Sequence, residues 1–147
     1  MKTIKYKTSA MLGLALGAMA ILMLGFSSCS TRVAFQSSSV VPAARGAVQI
    51  KKTDNNNYAI KVDVTNLAEP GRLTPPREVY VVWMESGNDP VKNLGKIETS
   101  SNLISKTLKA SFETTSSNKP TRVFITAESE GNPSYPANMT VLTTSNF

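Results

Sequence analysis

The chain has 147 residues, with 16 basic and 10 acidic side chains, one cysteine and no histidine. The lack of histidine argues against the histidine-based catalytic triads and against most enzymatic metal sites. The basic residues are scattered and do not form a cluster flanked by aromatic residues, which argues against nucleic acid as a partner. These counts favour a binding or structural protein, without a cofactor, over an enzyme.

The first 28 residues have the pattern of a secretory signal peptide. Three lysines within the first seven residues precede an apolar segment at residues 10–26, and two serines then precede the single cysteine, Cys29. Small residues directly before a cleavage point are typical of exported proteins. The arrangement resembles the bacterial lipoprotein signal. That resemblance implies that the Cys29 thiol receives a diacylglyceryl group and that residues 1–28 are removed.

An uncleaved membrane anchor is the alternative, because about 17 to 25 apolar residues can cross a bilayer. In both interpretations the N-terminal lysines stay in the cytoplasm and the rest of the chain is exported. By resemblance to other lipoproteins, Ser30 after Cys29 favours attachment to the outer membrane, facing the periplasm in preference to surface display. Cleavage would leave 119 of the 147 residues and would lower the net charge from +6 to +3, since three lysines are lost.

Residues 29–46 are predicted to be the lipidated cysteine and a flexible tether. The segment is rich in serine and contains Pro42 and Gly46, a composition typical of linkers. As a flexible coil it would hold the domain about 20 Å from the membrane. A short strand at Arg32 to Gln36 is also compatible with this stretch.

The domain at residues 47–147 alternates apolar and polar side chains, which is the pattern of strands with one buried face. Two such strands flank the turn DNNN at residues 54–57 and predict a hairpin. A loop rich in proline follows, and then a strand at residues 79–84 that is apolar on both faces, as in a strand covered twice. Further strands end in the loop GNPSYPAN and the last strand, MTVLTT.

About seven short strands separated by turns predict an all-β, immunoglobulin-like antiparallel β-sandwich. No stretch has strong helical periodicity, although residues 100–109 could hold one helical turn.

The segment from residue 78 to 142 resembles the extracytoplasmic C-terminal domain of anti-sigma-K factors. The resemblance depends on three short motifs, YVVWMES, GNDPVKNLGKI and PTRVFITAESEGNPSYPANMTVL. The matching positions are Tyr80, Trp83, Pro90, Val91, Leu94, Gly95, Phe124, Thr126, Glu128, Gly131, Pro133 and Pro136. Those regulators carry a cytoplasmic sigma-binding domain before a membrane helix, for which seven residues leave no room here. The resemblance therefore implies a β-sandwich outside the membrane and not the regulatory activity.

Two groups of oxygen-bearing side chains are candidate sites. The DNNN segment at residues 54–57 begins like a calcium loop but lacks the glycine and the terminal glutamate of that loop, so a polar turn is favoured. Glu128 and Glu130 lie two residues apart at the end of a strand. A solvated rim is favoured over a pair of catalytic carboxylates.

Aromatic and apolar residues supply the candidate partner contacts. Trp83 is predicted to lie in the core between the two sheets, which leaves Tyr80, Val82 and Met84 on a face that needs another cover. Either residues 33–41 or a partner protein could provide it. Tyr135 lies in a loop between two prolines, where a stiff backbone would hold the ring exposed.

The sequence thus predicts a lipid-anchored envelope protein whose β-sandwich binds an envelope protein partner and performs no catalysis. The alternative is an accessory lipoprotein that binds carbohydrate or a cation such as Ca²⁺ through Tyr135, Trp83 or the DNNN turn. A fragment of an enzyme is a third interpretation.

Overall fold

Two antiparallel sheets pack face to face in the computed structural model, which describes residues 30–101 and 108–147. The described residues form nine strands and one short 3₁₀ turn at Pro70–Arg72. The strands are β1 Ser30–Ala34, β2 Arg45–Lys52, β3 Tyr58–Thr65, β4 Val79–Glu85, β5 Lys92–Ile97, β6 Thr99–Ser101, β7 Leu108–Ser116, β8 Arg122–Glu128 and β9 Thr140–Thr143. The strand orders are β1-β2-β3-β7-β6 and β5-β4-β8-β9. The predicted all-β antiparallel sandwich is confirmed, with two strands more than expected.

The predicted hairpin is present as β2 and β3. Val48 pairs with Val62 across the two strands, and both side chains are fully buried. The turn between them is closed by the backbone N–H of Thr53, which donates to the carbonyl of Asn57 at 2.8 Å. Asn56 adopts a positive φ of 58°, a conformation that asparagine tolerates well. Alternation of side chains along β3 therefore directs one face into the core, as expected.

Strand β4 is buried on both faces, but the two faces are the reverse of the prediction. Tyr80, Val82 and Met84 point between the sheets and are at most 1% exposed. Trp83 points away from the inter-sheet core, to the outer face of the four-stranded sheet, where it clusters with Val81. A period of two separates the faces of a strand but does not say which one points inward when both are apolar.

The segment predicted as a tether is part of the fold, so that prediction is wrong. β1 pairs with β2 over its whole length, from Ser30 beside Lys51 to Ala34 beside Ala47. Phe35 then bridges to Thr144, beyond β9, and its ring is 9% exposed within the main core. The N-terminal segment therefore closes one edge of the sandwich by joining the two sheets.

The chain changes sheets at the opposite edge of the sandwich, between β5 and β6. Gly95 in β5 has a φ of 137°, and a Cβ there would lie 3.1 Å from the ring of Phe112 in β7. This close approach of the two sheets requires glycine. Of the predicted helical turn at residues 100–109, the described part is strand, and residues 102–107 lie outside the described residues.

Replacing Phe35 by alanine tests whether the N-terminal segment belongs to the folded unit. We expect Phe35→Ala to lower the free energy of unfolding by about 3 kcal/mol, because a large buried ring is lost. The exposed neighbour in Gln36→Ala should change it by less than about 0.5 kcal/mol. Urea unfolding measures both, and equal stability of the two variants would restore the tether interpretation.

Candidate functional site

The loop at residues 129–139 crosses the outer face of the four-stranded sheet, and we call it the β8–β9 loop. It is attached to both neighbours of β4: the side-chain amide of Asn93 in β5 donates to the carbonyl of Pro133 at 3.1 Å, and Glu128 in β8 accepts from the backbone N–H of Ala137 at 2.8 Å. Trp83 pairs in register with both Asn93 and Phe124. The loop therefore lies over the tryptophan, whose side chain is fully buried.

A chain of hydrogen bonds connects the tryptophan to the loop. The indole N–H of Trp83 donates to the hydroxyl of Thr126 at 2.7 Å, and that hydroxyl donates to Oε1 of Glu128 at 2.5 Å. The same carboxylate oxygen accepts the N–H of Ala137. Glu128 is only 4% exposed, so the prediction of a solvated rim is wrong for this residue. A buried carboxylate is tolerated here because polar donors surround it.

Two further contacts hold the beginning of the β8–β9 loop. The guanidinium of Arg77 donates to the hydroxyl of Ser129 at 3.2 Å. Gly131 packs directly on the side chain of Lys96, so a Cβ at residue 131 would overlap it unless the lysine moved. The loop is thus attached at residues 129, 131, 133 and 137, which leaves little freedom for the residues between them.

The outer cluster beneath the loop is completed by Phe124. Its ring stacks on that of Trp83 with centroids 6.4 Å apart and an angle of 13° between the planes. The guanidinium of Arg122 lies over the ring of Phe124, 5.2 Å from its centroid, and forms an ion pair with Glu85. Cation and ring attract each other through the ring quadrupole. The cluster is therefore a small second core outside the main one.

Tyr135 is the most exposed large apolar side chain of the described residues, at 84%. It lies between the attachments at Pro133 and Ala137, and Pro136 follows it directly. The backbone is held while the ring projects into solvent. This is the geometry expected of an aromatic contact residue, because little conformational entropy remains to be lost on binding.

The other predicted partner contacts are not on the surface. Tyr80, Val82 and Met84 are buried between the sheets, so the prediction that they contact a partner is wrong. The Tyr80 hydroxyl donates to the carbonyl of Ala68 at 2.8 Å, and burial raises the pKa of Tyr80 to about 12. The predicted lipidation site, Cys29, lies outside the described residues.

The remaining candidate site, the DNNN turn at residues 54–57, has the structure of an ordinary polar turn. All four of its residues are exposed, and its backbone closes on Thr53. Within residues 30–101 and 108–147, no three His, Cys, Asp or Glu side chains lie close enough together to hold a metal ion. The same residues contain no helix that is long and apolar enough to cross a membrane.

Comparisons of the chain with protein-family models, with curated proteins and with solved structures found no match. The resemblance to anti-sigma-K factors therefore stays a prediction from short motifs. Five of its positions belong to the loop arrangement: Thr126, Glu128, Gly131, Pro133 and Pro136. The spacing T-x-E puts a hydroxyl and a carboxylate on one face of a strand, which is the sequence signal that could have identified the buried pair.

Tyr80 should make stability sensitive to alkaline pH. The unfolded hydroxyl ionises near its ordinary value of 10, whereas the folded pKa is about 12. The unfolded state thus releases its proton first, so this contribution to stability is complete below pH 10 and is lost as the pH rises through 12. Tyr80→Phe should be about 1 kcal/mol less stable at pH 7 and should lose less stability above pH 10.

Urea unfolding at pH 7 and from pH 9.5 to 11.5 tests this dependence on Tyr80. Tyr135→Phe is the matched control, because it also removes one tyrosine hydroxyl but from a side chain that is 84% exposed. The same slope in Tyr80→Phe and Tyr135→Phe would contradict the assignment.

Removing the Glu128 carboxylate should release the β8–β9 loop. Glu128→Ala leaves the hydroxyl of Thr126 and the N–H of Ala137 without their acceptor, which should lower the free energy of unfolding by about 2 kcal/mol. The emission of Trp83, the only tryptophan of the chain, should shift to the red as water reaches it. Glu128→Gln keeps a carbonyl acceptor and should change both quantities less.

Fluorescence spectra and urea unfolding measure these effects, with the exposed Glu130 in Glu130→Ala as control. That substitution should alter stability by less than about 0.5 kcal/mol. Identical behaviour of Glu128→Ala and Glu130→Ala would show that the carboxylate does not hold the loop.

Proposed function

We propose that this protein is a lipoprotein of the cell envelope, anchored through Cys29 to the outer membrane on its periplasmic side, that presents the β-sandwich to an envelope protein partner. The membrane part of the proposal depends on the N-terminal signal pattern. The observation that supports the binding part is Tyr135, a ring 84% exposed on a loop with four attachments. The proposal assigns the protein no catalytic or cofactor chemistry.

A protein partner suits this loop for two reasons. Tyrosine is enriched among the few residues that carry most of the free energy of protein association, and a rigid backbone limits the entropy lost there. The same loop carries three polar residues, Asn132, Ser134 and Asn138, all exposed. They could form the hydrogen-bonding rim that surrounds such a contact.

A carbohydrate-binding role is the second candidate, and the burial of Trp83 weakens it. A sugar platform needs an exposed aromatic face, whereas the indole here is covered by the β8–β9 loop and is 0% exposed. Tyr135 alone would have to supply the stacking surface. The cation-binding version would depend on the exposed DNNN turn, which forms no cluster with two further acidic side chains in the part of the chain that the structure describes.

Cross-linking in cells tests the proposal. The tagged full-length chain is cross-linked, extracted in detergent and analysed for co-purifying proteins. We expect one abundant envelope protein and expect Tyr135→Ser to reduce its recovery strongly, since truncating a central tyrosine costs about 2 kcal/mol, or roughly 30-fold in affinity. Val91→Ser is the matched control, because Val91 is the other large apolar side chain exposed in the described residues, at 36%.

Three results would contradict separate parts of the proposal. Recovery of the protein alone would argue against a protein partner and would favour a small ligand such as a glycan. Equal losses in Tyr135→Ser and Val91→Ser would argue against the β8–β9 loop as the contact. Retention of a cleaved Cys29→Ala chain in the membrane would argue against lipid attachment at that cysteine.

A further inference from the structure

We propose that one end of the sandwich lies flat on the membrane and that its basic side chains bind anionic lipid headgroups. We call it the Ser30 end; it comprises Ser30 and the turns at residues 53–57, 86–91 and 117–121. The inference rests on the proposed lipid attachment at Cys29 and goes beyond it, because it specifies a second membrane contact and the orientation of the domain.

Pairing within the five-stranded sheet brings three of these parts together. Ser30 at the start of β1 lies beside Lys51 near the end of β2. Lys52 pairs with Tyr58 across the hairpin, and Tyr58 pairs with Ser116 at the end of β7. The first residue of the fold therefore lies at the same end as the turns 53–57 and 117–121.

The four-stranded sheet contributes the fourth part of the Ser30 end. The hydroxyl of Ser86 donates to the carbonyl of Lys119 at 2.8 Å, and the side-chain amide of Asn118 donates to the carboxylate of Asp89 at 2.6 Å. The β4–β5 turn at residues 86–91 thus packs against the β7–β8 turn. The Ser30 end extends across both sheets and is as wide as the sandwich.

The chain between a lipid on Cys29 and the Ser30 end is too short to hold this end away from the headgroup layer. Ser30 is already paired in β1, so a lipid on Cys29 is separated from the fold by a single residue. One residue spans at most about 3.6 Å. A flexible coil of about 20 Å, as the composition of residues 29–46 suggested, is replaced by direct contact of the Ser30 end with the headgroup layer.

The charge of this end suits an anionic surface. Its basic side chains are exposed and take part in none of the ion pairs found among the described residues, which are Lys61–Glu113, Arg72–Glu69 and Arg122–Glu85. They are Arg32, Lys51, Lys52, Lys92 and Lys119. The acidic side chains facing them are Asp54 in the hairpin turn and Asp89, which is bonded to Asn118. Basic residues near an anionic bilayer are attracted within about a Debye length of it.

The opposite half of the sandwich has no such excess. Its described basic residues are Arg45, Arg72, Arg77, Lys96 and Lys109. Its acidic residues are Asp63, Glu69, Glu78, Glu98, Glu128 and Glu130. The positive charge of the domain is therefore concentrated at the end to which the anchor is attached, which would orient the domain on the bilayer as well as attract it.

This orientation leaves the proposed partner loop accessible. The β8–β9 loop lies on the outer face of the four-stranded sheet, attached to Asn93, Lys96 and Glu128, and does not belong to the Ser30 end. Tyr135 would therefore project sideways, beside the membrane, while the lysines contact headgroups.

The test uses the full chain, purified with its lipid and inserted into vesicles of phosphatidylethanolamine and phosphatidylglycerol. Single cysteines are placed in the hairpin turn by Asn55→Cys and at the opposite end by Ala43→Cys; both positions are exposed. Labelling by a membrane-impermeant maleimide is compared between vesicles and detergent. We expect the vesicles to slow labelling at residue 55 at least about tenfold and to leave residue 43 within about twofold.

Charge reversal separates the headgroup contact from the anchor. The variant carrying Lys51→Glu, Lys52→Glu and Lys119→Glu should still float with the vesicles, with labelling at residue 55 restored to the rate at residue 43. Replacing phosphatidylglycerol by phosphatidylcholine should have the same effect on the natural sequence. Unchanged emission of Trp83 verifies that the variant is folded.

Each outcome identifies which claim fails. Equal labelling at residues 55 and 43 on vesicles that carry the lipidated protein would overturn the membrane-facing end and leave the lipoprotein proposal intact. Protection of residue 55 that persists after charge reversal would overturn the role of the lysines. A purified chain without the mass of a lipid, which does not float with vesicles, would overturn both proposals, because the anchor positions this end.

Discussion

Burial of both faces of β4 is the constraint on which the rest of the structure depends. A strand with Tyr80, Val82 and Met84 on one face and Val81 and Trp83 on the other needs an apolar cover on each side. The five-stranded sheet covers the first face, as in any sandwich. No further sheet among residues 30–101 and 108–147 covers the other face, and this accounts for the position of the β8–β9 loop.

A loop can replace a sheet as a cover only if its own polar groups are satisfied. Hydrogen bonds to Glu128 and Asn93 supply this, and the buried carboxylate is stabilised by the same donors that it holds in place. Such a network restricts the loop to one conformation. The exposure of Tyr135 is a consequence, since the covering residues on either side of it are fixed and its own side chain has no place beneath the loop.

Sequence patterns predicted the local structure well and the three-dimensional roles less well. Alternation identified the β2–β3 hairpin and the doubly apolar β4, because period two is a backbone property. It could not tell which face of β4 was internal, because both are equally apolar. The serines of residues 29–46 suggested a linker, yet backbone pairing of β1 needs no apolar side chains, and Phe35, Val41 and Ala44 pack this segment into the core. The sequence predicted an exposed Glu128 because its burial also depends on the N–H of Ala137, in a loop whose path side-chain alternation does not specify.

The ordered N-terminal segment changes what a lipid on Cys29 would do. With a flexible tether, the domain would sample all orientations, and Tyr135 would have no fixed direction relative to the bilayer. With Ser30 already in β1, a lipid on Cys29 would let the fold itself set the position of the ring relative to the bilayer. Restricting orientation raises the effective concentration of a binding surface for a partner in the same membrane, without any new contact. The same pairing that closes the edge of the sandwich would thus adapt the β8–β9 loop to a membrane-bound partner.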